Sequence, residues 1–168
     1  MKDVELRLLS ELMKNSRRSD REIAKAIGVS QPTISRLIKK LEKEGKIKEY
    51  TMIPDFGQLG YNLMAVVFFG KQDTMTKEER LVLRGAALEL EKKNPHATMM
   101  VVSGMGLNKG RMLIIFYRDY SSYSEDLKVI RNLPHSDPGE IESFLVDLND
   151  ERNFRTLSLK EVARHFLA

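Results

Sequence analysis

Apolar positions in the first 45 residues recur at intervals of three and four, the spacing of one face of a helix. Val4, Leu8, Leu9 and Leu12 mark a first helix over about residues 2–14, ended by Asn15 and Ser16. Ser19, with Glu22 three residues on, forms a capping box that opens a second helix, whose inner face is Ile23, Ala24 and Ile27. Gly28 stops it, since glycine accepts positive φ without a Cβ penalty. After Val29, Ser30 stands as the next N-cap and Pro32 sits in the first turn, where its missing N–H does no harm. Ile34, Leu37, Ile38 and Leu41 are spaced i, i+3, i+4, i+7 along this third helix, and Gly45 closes it.

The period then changes. Residues 46–53, KIKEYTMI, alternate and carry Ile, Tyr and Thr, which predicts a strand or short hairpin. Pro54, Gly57 and Gly60 mark a connector. Beyond it the pattern predicts a nearly all-apolar strand at 63–70 and a helix at 76–93 capped by Thr76 and Glu79. Strands follow at 98–103 and 111–118, separated by a glycine-rich loop at 104–110. A helix from Ser121/Ser122 to Arg131 and a strand at 141–148 complete the series. The order βαββαβ is the ferredoxin-like plan. Ser158, Leu159, Glu161, Val162, Ala163 and Phe166 predict one more short amphipathic helix at 158–167. The expectation is an α+β chain. It has a helical domain with a small wing at 1–53, a connector at 54–62, a ferredoxin-like domain at 63–150 and a tail at 151–168.

Charge gives the helical domain a direction. The chain has 168 residues and a net charge of +4, all of it in the first third. Residues 1–60 hold 13 basic against 9 acidic residues, whereas residues 61–168 balance at 15 each. Within 14–48 the count sharpens to 11 basic against 4 acidic. A field placed this way points to a polyanionic partner for the N-terminal segment.

Two helices joined by a tight glycine turn, the second of them basic, make a helix-turn-helix. Small Ala24 lets the next helix approach, and Gly28 turns the chain four residues later. The outward set on the third helix is Gln31, Thr33, Ser35, Arg36, Lys39 and Lys40, with Ser30 at its start. A recognition helix reads base edges in the major groove with residues near its N-terminus. Gln pairs bidentately with adenine and Arg with guanine, and the Thr33 methyl suits thymine. Lys39 and Lys40, further along, and Arg17, Arg18 and Arg21 around the second helix suit phosphates.

The run GVSQPTISRLIKKLEKEGKIKEYT, with LGY after the connector, closely resembles the DNA-binding half of the leucine-responsive/asparagine-synthase regulator (Lrp/AsnC) family. That likeness is specific over residues 3–63; in 63–148 it is one of element order. The resemblance implies transcriptional control, often in answer to an amino acid. It also implies a homodimer or higher assembly through the C-terminal sheets, holding two recognition helices over double-stranded DNA. The family's Gly-Asp-Tyr-Asp-like turn is replaced here by SGMGLNKGR, residues 103–111, which has no acidic residue. Gly104, Gly106, Asn108, Lys109 and Gly110 are the candidates for an effector or interface loop.

Other chemistries fit less well. The absence of cysteine excludes disulfides and thiolate sites. His96, His135 and His165 have no helical metal-ligand spacing, and the glycine-rich loop matches neither a P-loop nor a dinucleotide fingerprint. No cofactor or metal is expected. No apolar run approaches the roughly 18–20 residues of a membrane span, and the charged N-terminus is unlike a signal peptide, so the expected place is the cytoplasm. The reading is a DNA-binding regulator and not an enzyme. The alternative is an enzyme on the same two-domain plan, like the sirohaem decarboxylases, for which Arg111, Arg118 and His96 near strand ends form no dense constellation.

Overall fold

The computed structural model describes residues 3–70, 76–93, 97–132, 141–153 and 157–165. The described chain falls into two units, one of residues 1–54 with 154–168 and one of residues 55–153.

The first unit contains α1 (Asp3–Lys14), α2 (Asp20–Ile27) and α3 (Gln31–Lys43). Leu8, Leu12, Ile23, Ala24, Ile27, Ile34 and Leu41 form its core, with Val4, Leu9, Val29, Leu37, Ile38 and Ile47 packed around them. These are the positions set by the helical period. The expected strand at 46–53 is not formed: these residues carry no β-ladder. A strand needs a neighbour for its N–H and C=O groups, and here the chain is tied down by side chains instead. Ile47 packs on the helical core and the Tyr50 hydroxyl donates to Glu42 on α3 at 3.0 Å.

The tail returns to the same unit as α6 (Lys160–His165). At its start the Ser158 hydroxyl accepts a hydrogen bond from the Lys160 N–H at 3.2 Å. Ala163 is fully buried, and its carbonyl accepts a hydrogen bond from the buried Ser10 hydroxyl of α1 at 2.9 Å.

The second unit is built on β1 (Leu63–Phe69), β2 (Ala97–Gly106), β3 (Lys109–Tyr117) and β4 (Glu142–Asp147), with α4 (Lys77–Lys93) and α5 (Tyr120–Arg131). The strands form one antiparallel sheet in the order β2-β3-β1-β4. This is the order a βαββαβ chain reaches when its helices cross on one face. Ala65, Val67, Ile115 and Tyr117 point to that face and pack with Tyr123 and Ile130 of α5. Thr76 and Glu79 cap α4 reciprocally, as the sequence predicts.

The glycine-rich stretch 104–110 is mostly strand, not loop. β2 and β3 run on to a two-residue turn at Leu107 and Asn108, with φ of 51° and 55°. Positive φ at both central residues is the geometry that joins twisted strands tightly. Gly104 and Gly106 lie where the ladder shifts register between Ser103 and Gly106. Their missing side chains serve a bulge rather than the turn itself.

Residues 55–61, read from the sequence as connector, fold onto this sheet. Turns close through the Tyr61 N–H to the Phe56 carbonyl and the Gly60 N–H to the Gly57 carbonyl, both at 2.9 Å. Phe56 stacks on Phe116 with ring centres 3.8 Å apart. Phe116 belongs to the sheet face turned away from α5. The register places Phe144, Val66, Ile114 and Met100 in one row across that face, and Val146, Met64 and Phe116 in the next.

Candidate nucleic-acid interface

The geometry of α2 and α3 is set by local chemistry. Ser19 and Glu22 form the full capping box: the Ser19 N–H donates to Glu22 at 2.8 Å and the Glu22 N–H to the Ser19 hydroxyl at 3.3 Å. Gly28, at φ 82°, brings α2 to an end, and its N–H and that of Val29 both reach the Ala24 carbonyl. Only three residues then separate α2 from α3. At the far end Gly45, at φ 67°, turns the chain while the Lys46 N–H bonds the Leu41 carbonyl at 2.9 Å. This pairing satisfies a carbonyl that the helix leaves open.

Ile34 and Leu41 fix the inner side of α3, which sets the rest of the helix by rotation. Arg36, Lys39 and Lys43 then face directly outward, and all three are exposed. Lys43 is not among the residues that the sequence singles out; its spacing of seven from Arg36 is the signal that points to it. Gln31 is exposed beside them at the helix start, and the hydroxyls of Ser30 and Thr33 lie 2.8 Å apart. Arg17 and Arg21 are exposed on the approach to α2 and along it.

Three other candidates are held within the unit. The Ser35 hydroxyl donates to Asp20 on α2 and to the Gln31 carbonyl. Arg18 pairs with Glu11 of α1 and donates to the Glu22 carbonyl at 3.2 Å. Lys40 is bound 2.5 Å from the buried carboxylate of Glu5 on α1, and this hydrogen bond raises the lysine's pKa above its usual value. Helix α3 is thus clamped by polar bridges on both flanks, one to α2 and one to α1.

In the sheet unit, Lys109 is buried, with its ammonium 3.1 Å from Glu142 of β4. Gly104, Gly106 and Asn108 are exposed on the hairpin, and the Gly110 N–H donates to the Gly70 carbonyl at 2.9 Å. Arg111 lies over the Phe69 ring. Burial and the charge of Arg80 push its pKa down. His96 and His135 fall outside the described residues, and among the described residues no three metal-ligating side chains converge. No helix among them is long and apolar enough to cross a membrane.

Fold and interface define a helix-turn-helix chain with an appended four-stranded sheet unit. A winged helix-turn-helix DNA-binding family model matches residues 1–48. An HTH-type transcriptional regulator of Pyrococcus furiosus is 40% identical over 83 residues, 49% of this chain and 56% of that protein. The regulator LrpC of Bacillus subtilis is 36% identical over 64 residues, 40% of this chain and 43% of LrpC. These alignments span about half the length of the curated relatives matched. The solved structure of LrpC superposes with a TM-score of 0.69 at 19% identity, covering 94% of this chain and 97% of LrpC. A transcriptional regulator of Neisseria meningitidis, solved with L-methionine, gives 0.73 at 18% identity, over 96% of this chain and 99% of that one. At such identities the structural likeness is one of fold. The first part of the chain is thus similar in sequence to HTH-type transcriptional regulators, and nearly all of it shares its fold with LrpC and with the AsnC protein of E. coli.

Proposed function

We propose that the protein is a transcriptional regulator that binds double-stranded DNA by laying α3 in the major groove. The observation that carries this reading is the outward row of Arg36, Lys39 and Lys43 on a helix held in place from three sides. Gln31, Thr33 and Arg36 lie at the end that meets base edges, with Ser30 beside them. Lys39, Lys43, Arg17 and Arg21 suit phosphates. Relatives named as transcriptional regulators support this reading over an enzyme on the same two-domain plan.

Two copies pair through the open sheet face, where Phe144 is 66% exposed among apolar neighbours. Single recognition helices cover only a few base pairs, so pairing doubles the sequence read. A small-molecule effector acts at the sheet unit, with Gly104, Gly106, Asn108, Lys109 and Gly110 as its candidate contacts; the L-methionine held by the Neisseria regulator supports an amino-acid-sized ligand. The protein works in the cytoplasm, where its DNA is.

The test is fluorescence anisotropy on a duplex from the upstream region of its own gene, beside a random duplex. Arg36→Ala should cost about 1–3 kcal/mol on the upstream duplex and relax specificity. Equal loss on both duplexes would refute the base contact.

A further inference from the structure

The flank of α3 that faces α1 carries four charges in a closed arrangement. Glu5 of α1 is buried, with 3% of its surface exposed. Its carboxylate lies 2.5 Å from the Lys40 ammonium and 3.9 Å from that of Lys46. Glu44 completes the group, 3.6 Å from Lys40 and 2.7 Å from Lys46. Each of the two ammoniums is engaged by both carboxylates, although this flank of α3 lies within the most basic stretch of the chain.

Without Glu5 the picture changes. Lys40 is four residues from Arg36 and Lys46 follows the end of the helix. Both lysine side chains are part-exposed, at 44% and 40%, so a phosphate could reach them. What prevents it is a carboxylate at contact distance in a drier setting, where attraction is stronger than across water. Because Glu5 is buried among α1 and α3, it cannot swing away when DNA approaches.

We propose that Glu5 is a specificity-determining positioning residue: it withholds Lys40 and Lys46 from the DNA backbone and confines phosphate attraction to the face bearing Arg36, Lys39 and Lys43. The inference rests on the DNA-binding reading above. It gives the buried acid a role apart from packing. Backbone attraction spread around α3 would let the helix bind in several rotations, and only one of these brings Gln31 and Arg36 to the bases.

The experiment measures the salt dependence of binding to a short random duplex between about 50 and 200 mM salt. Each phosphate contact adds about 0.9 to the slope of log affinity against log salt. Glu5→Gln should therefore steepen the slope by about one unit, and Lys40→Met added to Glu5→Gln should bring it back by about as much. A role in folding alone would weaken binding without steepening the slope, and that result overturns the proposal. If Glu5→Gln fails to fold, Lys46→Met serves instead: an unchanged slope supports the withholding of Lys46, and a loss of about one unit overturns it. If the wild-type chain binds no duplex at any salt, the DNA-binding reading falls and this proposal with it.

Discussion

The Ser10 hydroxyl and the Ala163 carbonyl meet at 2.9 Å across 153 residues of chain, and both residues are wholly buried. This bond seats α6 on α1 and makes the short C-terminal helix part of the helical unit. Ser10→Ala removes the donor and leaves a buried acceptor without it, a loss of about 1–3 kcal/mol. The urea midpoint of the helical unit should fall accordingly, while the sheet unit's transition stays in place. Identical curves would mean that α6 contributes nothing to that unit.

A second prediction concerns acid. Glu11 sits between Lys14, 2.6 Å away, and Arg18. The Lys14 hydrogen bond comes first in holding its pKa below the ordinary 4.5, and Arg18 adds to it. A carboxyl lowered in the folded state favours folding when ionised. Its contribution is present above pH 4.5 and is lost as pH falls through the lower folded value. The wild-type helical unit should lose stability over that window, and Glu11→Gln should show a flatter acid limb. Thermal melts across the acid range decide it; parallel curves would remove Glu11 from the account.

The third prediction addresses pairing. Phe144 stands in a row with Val66, Ile114 and Met100 on the open sheet face. With two copies paired on this face as proposed, a carboxylate there would be buried unpaired between two sheets, at a cost of several kcal/mol. Phe144→Glu should shift the protein from dimer to monomer in light scattering, and weaken binding to a two-half-site duplex more than to a single half-site. An unchanged mass would place the dimer contact elsewhere.

The helix-turn-helix is legible in the sequence because its determinants are local. Ser19 with Glu22, Gly28, Pro32 and the spacing of Ile34 and Leu41 each act within a turn or two. The features that were not legible depend on distant partners. Residues 46–53 have the alternation of a strand, but alternation does not supply the neighbour a strand must pair with. The turn of the β2–β3 hairpin falls on Leu107 and Asn108, although leucine seldom adopts positive φ and three glycines, which adopt it readily, stand nearby. At the interface, the helical period gave the outward direction of Arg36 and Lys39. It could not show that Lys40 is engaged by Glu5, 35 residues earlier, or that Ser35 is engaged by Asp20.

The return of α6 also sets an order of events in synthesis. Helix α1 leaves the ribosome before the sheet unit, and the helix that covers Ser10 leaves after it. Until then the Ser10 side of α1 has no cover, while β1 to β4 are made and can pair. The helical unit is begun first and finished after the sheet, so a chain stalled within the sheet would carry α3 on an unfinished support.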